Sequence, residues 1–166
     1  MFKINFKKIL LNFGIISTIF LIDRLTKIYI LKIAEVKNAV DIYVNTYLNF
    51  YLIWNKGIAF GLLSFNETFI YNIITAIILL ITIAILIMII KNEGFKKYSL
   101  MFVLGGSLGN VFDRIYYSAV PDFIDFHIND FHWFVFNVAD IFITLGIVFL
   151  IFDEILINDK INEKIT

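Results

Sequence analysis

Between Glu67 and Lys91 the chain runs from Phe69 to Ile90 without a charged residue. A helix of about 20 mostly apolar residues spans the hydrocarbon core of a bilayer. In lipid, every backbone N–H and C=O must be satisfied inside the protein, so such a run has little choice but to be helical. Three further stretches follow the same pattern: Ile9 to Leu31, Tyr98 to about Ile115, and about Val138 to Ile157. The third is short and rich in glycine. Hydrophobic residues make up 60% of the 166 positions, against ~45–50% in ordinary soluble domains. The expected fold is an all-α polytopic membrane protein. It has four transmembrane helices, about 9–31, 69–90, 98–115 and 138–157, within one membrane-embedded domain covering 1–166.

The chain has no cysteine, which excludes disulfides, thiol catalysis and cysteine-ligated metal centres. Its formal net charge is zero, so nothing points to nucleic acid. His127 and His132 stand five apart in what reads as a loop, without a zinc-type spacing, and are expected at the surface or an interface. No metal and no cofactor are expected.

Lysines orient the bundle. Lys3, Lys7 and Lys8 precede the first span, Lys91, Lys96 and Lys97 connect the second and third, and Lys160 and Lys164 lie in the tail. The opposite side holds only Lys32, Lys37 and Lys56. Both termini are therefore expected in the cytoplasm, with segments 32–68 and 116–137 outside. The basic start followed by an apolar run resembles a signal peptide, but Asp23-Arg24 follows instead of a small-x-small cleavage site, so the segment reads as a retained anchor. In the outer segment 32–68, Ile42-Tyr43-Val44 and Tyr47 to Trp54 read as short strands. Asn55-Lys56-Gly57 is a turn, and Ile58 to Leu63 continues apolar. A small β-containing segment is thus expected between helices 1 and 2. Its aromatic residues suit the membrane interface and could shape a substrate cradle.

Ionisable residues within or beside membrane spans are functional candidates by default. Asp140 lies in the first turn of the fourth span, three residues after Asn137, and Asp122 precedes it in Val120-Pro121-Asp122-Phe123. Two carboxylates in proximity can share one proton and activate water. A carboxylate in a first helical turn is also favoured by the helix dipole alone. Asn110, Asp113 and Arg114 fall on one face at the outer end of the third span, and Gly105 and Gly109 allow another helix to approach. Asp23 and Lys27 share a helix face and are expected to pair, with a structural role; Arg24 and Lys27 could also meet lipid phosphates. Ser64 or Ser118 with Lys56 would be needed for serine–lysine chemistry, and no motif surrounds them. On these residues alone an enzyme, an ion relay or small transporter, and a non-catalytic scaffold carry comparable weight. Asp113 rivals Asp122 as the partner of Asp140, and Asp125 is a weaker rival.

Five ordered blocks go further. Asp23-Arg24-Leu25-Thr26-Lys27, Asn55-Lys56-Gly57-Ile58-Ala59-Phe60-Gly61, Gly105-Gly106-Ser107-Leu108-Gly109-Asn110-Val111-Phe112-Asp113-Arg114, Val120-Pro121-Asp122-Phe123 and Phe136-Asn137-Val138-Ala139-Asp140 resemble those of the bacterial lipoprotein signal peptidases (signal peptidase II). The resemblance runs from about residue 23 to 146. It implies an intramembrane aspartic endopeptidase of the bacterial cell membrane, with four spans and both termini inside. Such an enzyme removes the signal peptide of a prolipoprotein just before a cysteine carrying diacylglycerol. Its partners would be that substrate and membrane lipids, and it would act as a monomer. By resemblance Asp122 and Asp140 are catalytic. Asn55, Gly57, Asn110, Asp113, Arg114, Asn137 and Ala139 support the dyad or hold substrate, and Asp23 and Lys27 are structural. Pro121 departs from the pattern, in which a second valine is common. Proline fixes φ and removes a donor, which stiffens the approach to Asp122 without an evident reason to abolish activity.

Overall fold

The computed structural model describes residues 6–57, 68–129 and 131–162, with side chains at 6–57, 69–129 and 131–155. Lys3, Lys164, Ser64, the side chain of Lys160 and the apolar continuation Ile58 to Leu63 lie outside that description. The described residues form four helices, α1 (Phe6–Lys37), α2 (Thr68–Lys91), α3 (Gly94–Tyr117) and α4 (Val138–Asn162), with one β-hairpin between α1 and α2 and another between α3 and α4. Strands β1 (Asp41–Asn45) and β2 (Leu48–Asn55) follow α1, as their β-branched and aromatic content predicts. Strands β3 (Val120–Ile128) and β4 (Phe131–Phe136) fill the segment between α3 and α4. The four form one antiparallel sheet in the order β1-β2-β3-β4.

The second hairpin corrects the sequence reading, which left 116–137 without strands and put both histidines in a loop. His127 and His132 are strand residues and direct cross-strand partners. The signal was present: aromatic and aliphatic residues alternate with Asp125, His127 and His132, and Asn129 beside the turn takes a left-handed φ of 52°. Pro121 sits opposite Trp54 of β2, beyond the last β3–β4 pair at Ile124, so its missing N–H costs no bond on the β4 side.

Helix α3 is the centre of the bundle and packs against α1, α2 and α4. Its glycines permit this. A Cβ at Gly105 would lie 2.8 Å from the Ile19 side chain of α1, and one at Gly106 would lie 2.9 Å from Ile143 of α4. Ile89, Leu100, Met101 and Leu104 form one buried cluster between α2 and α3, while Ile30, Val40 and Phe123 tie α1 to the sheet. α3 ends at Ser118 in the left-handed region, φ 56°, and the chain turns directly into β3. That turn delivers Asp122 to the end of the bundle.

Among the described residues, α1 and the Phe69–Lys91 part of α2 are long and apolar enough to cross a membrane. α3 carries Lys96, Lys97, Asp113 and Arg114, and α4 carries Asp140, Asp153 and Glu154. Ile73, Ile77, Leu80, Ile81, Ile87 and Ile90 of α2 are all exposed. An apolar surface of this extent is foreign to a monomer in water and natural in lipid.

Candidate active site

Asp122 enters from β3 and Asp140 from the first turn of α4, and both are buried. Asn137 joins them. It is the residue before α4, and its Oδ1 accepts from the Asp140 N–H at 3.1 Å while the Asn137 N–H donates to Asp140 Oδ2 at 3.1 Å. This is a reciprocal capping box, which satisfies backbone donors at the start of the helix. The remaining Asn137 amide nitrogen donates to Asp122 Oδ1 at 2.6 Å. The helix cap therefore also connects the two carboxylates.

The other two asparagines follow the same pattern. Asn55 Oδ1 accepts from the Gly57 N–H at 2.8 Å, which turns its Nδ2 toward Asp122 Oδ2 at 2.9 Å. Asn110 Oδ1 accepts from Lys27 Nζ at 3.0 Å, which turns its Nδ2 toward Asp140 Oδ1 at 2.9 Å. In each case a donor pins the amide oxygen and the NH2 group faces a carboxylate. All four carboxylate oxygens are thus held by N–H donors. Burial, then the charge of Asp140, push the Asp122 carboxyl up to about 7, against the lowering by the two amides and Lys27. Two carboxyl groups so placed, one of them able to keep a proton near neutral pH, can act as an acid and a base on the same reactant.

Beneath the pair lies a buried ion cluster. Lys27 Nζ donates to Asp23 at 2.9 Å and to Asp113 Oδ2 at 2.6 Å, and Arg24 Nη2 lies 2.6 Å from Asp113 Oδ1. Asp23, Lys27 and Asp113 have no exposed surface. Asp23 also accepts the Ala139 N–H of α4 at 3.0 Å, binding α1 to the start of the helix that carries Asp140. The expected Asp23–Lys27 pair is present, and the cluster has three consequences for the sequence reading. Asp113 belongs with Lys27 and Arg24 and is not the carboxylate joined to Asp140. Arg24 and Lys27 point into the protein and not to lipid phosphates, because two buried acids need them. Asp125, the weaker rival, contacts His132 instead, at 2.9 Å.

Arg114 diverges from Asn110 and Asp113 and donates from Nη2 to the Gly57 carbonyl, bracing the turn that orients Asn55. Its own carbonyl accepts from the Tyr71 hydroxyl at 3.2 Å, and its guanidinium lies over the Tyr71 ring. Tyr71 drew no attention in the sequence, since an aromatic residue in an apolar helix carries no signal of a polar partner on another helix. Ala139 is fully buried and its N–H is engaged with Asp23, so it packs the helix start. A cleft of about 330 Å³ opens beside Asp140, lined by Phe126, Trp133, Phe136, Ile141, Thr144 and Leu145 among others. Its wall is apolar except at the carboxylate end.

Residues 15–156 match the family model described as signal peptidase (SPase) II. The chain is 56% identical to the lipoprotein signal peptidase of Pelagibacter ubique (strain HTCC1062), over 98% of each protein. It is 39% identical to that of Rickettsia bellii (strain OSU 85-389), over 97% of this chain and 85% of the relative. It is also similar to a solved bacterial membrane enzyme, with a TM-score of 0.68 and 28% identity over 91% of this chain and 90% of that one. Matched from α1 to α4 in sequence and in fold, the chain belongs to the signal peptidase II family, a family of membrane peptidases.

Proposed function

We propose that the chain is an intramembrane aspartic endopeptidase that removes the signal peptide of diacylglyceryl-modified prolipoproteins, cutting before the lipidated cysteine. The observation that carries the reading is the pair Asp122 and Asp140, joined through Asn137 and held by the amides of Asn55 and Asn110. Family membership supplies the substrate class. The whole chain acts as one membrane-embedded domain with four spans, and the dyad lies near the outer face. The apolar cleft running from Asp140 along α4 suits an acyl chain or the apolar end of a signal helix arriving from the bilayer.

In the mechanism, one carboxyl is ionised and one protonated, since two close carboxylates do not both ionise cheaply. Near neutral pH the pair holds one proton, and the titration belongs to the pair. The ionised member takes a proton from water as the water oxygen bonds to the scissile carbonyl carbon. The protonated member donates to the oxygen that becomes anionic. As the tetrahedral intermediate collapses, the member that took the water proton gives it to the departing amine nitrogen. The other recovers its own as the carbonyl re-forms.

The test is cleavage of a synthetic diacylglyceryl prolipopeptide by purified protein. Asp122→Asn and Asp140→Asn each lose at least about 10³-fold in rate, within the range of acid–base catalysis, while both variants remain inserted. Full activity in either would overturn the assignment. In the wild type, raising the pH through about 7 removes the shared proton, so the rate falls on the alkaline side. A rate that climbs steadily to pH 9 contradicts a dyad that works with one proton.

A further inference from the structure

We infer that Asp125, His127 and His132 form a binding site for a zinc-class divalent ion on the β3–β4 hairpin. His127 and His132 face each other across the strands, with their rings stacked at 4.9 Å. His132 Nδ1 lies 2.9 Å from Asp125 Oδ2, and His127 Nδ1 lies 3.6 Å from the same oxygen. The first is a hydrogen bond and the second is too long to be one. His127 is 9% exposed, and its Nδ1 is buried with no hydrogen-bond partner. A buried ring nitrogen in that condition is costly, and it is aimed at a carboxylate already shared with a second imidazole.

One ligand atom from each residue can be chosen so that all three lie within 4.8 Å of one another. A tetrahedral ion with bonds of about 2.0–2.2 Å holds its ligand atoms about 3.3–3.6 Å apart. The His127–Asp125 separation of 3.6 Å falls at the top of that range, and the His132–Asp125 separation of 2.9 Å is a few tenths of an ångström short of it. The side chain of His132 is 58% exposed, so it can rotate to bring its nitrogen closer to that of His127. Two imidazoles and one carboxylate suit zinc, cobalt or nickel, whereas magnesium and calcium prefer all-oxygen sites. Three protein ligands leave a position for water. Asn49, the β2 partner of Asp125, lines the adjoining cavity of about 400 Å³ and holds a buried Oδ1 without a partner, an acceptor for such a water. This cavity shares no lining residue with the cleft beside Asp140. The ion would tie β3, which carries Asp122, to β4, which leads into Asn137. Spacing along the chain conceals the site because its ligands meet across a hairpin.

Tag-free protein in detergent, stripped with a chelator, is titrated with Zn²⁺ by calorimetry at pH 7.5 and with Co²⁺ by visible absorption. One saturable ion per chain is expected, with imidazole scattering in the zinc X-ray absorption spectrum. His132→Ala, at an exposed position that leaves folding intact, weakens binding by at least about tenfold, as does Asp125→Asn. Asp140→Asn binds as the wild type does, which separates this site from the dyad. Absence of saturable binding overturns the proposal, as does binding that survives both hairpin substitutions or is lost in Asp140→Asn.

Discussion

Lys27 holds three groups at once: Asp23 and Asp113 by charge, and the oxygen of Asn110 by a hydrogen bond. The third contact reaches the dyad. An asparagine amide presents an oxygen or an NH2 group depending on how it is turned, and only the NH2 group can hold an ionised carboxylate. A fully buried ammonium on Asn110 Oδ1 fixes the turn that places Nδ2 on Asp140. Removing one member of a buried ion cluster leaves the rest uncompensated, at a cost of roughly 3–5 kcal/mol. Lys27→Met should therefore lower the thermal midpoint in detergent by many degrees and slow cleavage in the molecules that remain folded, because Asn110 is no longer held. A midpoint equal to that of the wild type would show that Asp23 and Asp113 do not depend on Lys27. The i,i+4 pairing of Asp23 with Lys27 was visible in the chain. The partner that makes it matter, Asp113, is 86 residues away and comes into view only when α1 and α3 are packed.

At the scale of elements, the same packing depends on Gly109. A Cβ there would fall on the Asp23 carboxylate, which has backbone on either side: α1 carries it, and the Ala139 N–H of α4 donates to it. The carboxylate cannot move aside without abandoning Lys27 or the start of α4. Gly109→Ala should cost about 1–3 kcal/mol of stability, the usual range for overpacking, and should depress cleavage through the displaced start of α4. Gly14→Ala, where an added Cβ meets nothing within 4 Å, is the matched control and should change neither. Equal behaviour of the two variants would sink the argument. That another helix approaches α3 closely was legible from Gly105 and Gly109, as were β1 and β2 from their β-branched and aromatic residues, but that the helix is α1 was not. β3 and β4 were not read, because Asp122, Asp125 and the histidines drew the segment toward a polar loop. In the fold Asp122 is held by Asn55 and Asn137, and Asp125 by His132 across the hairpin, partners that no local pattern displays. The capping box at Asn137 and Asp140 was half legible: dipole stabilisation explained Asp140 as a helix start, and the structure adds that the cap's spare amide reaches Asp122.

The molecule as a whole separates two kinds of surface. The flanks of α2 are apolar and open, while Asp23, Arg24, Lys27 and Asp113 are drawn inward to one buried cluster. An orientation follows from the loops. Lys91, Lys96 and Lys97 crowd the connection between α2 and α3, and the hairpin end opposite has few cations. Under the proposed function, the positive-inside rule would put the α2–α3 connection in the cytoplasm and the sheet, with Asp122, outside. The chain has no cysteine, so one introduced thiol is an unambiguous probe. Lys37 ends α1 on the sheet side and Glu93 lies between α2 and α3, and both are exposed. In intact spheroplasts a membrane-impermeant maleimide should label Lys37→Cys and spare Glu93→Cys, and permeabilisation should make both reactive. Cleavage activity in each variant confirms that the labelled molecules are folded. The reverse labelling pattern in active protein would turn the bundle over and place the dyad on the cytoplasmic side, where the charge argument could not be kept.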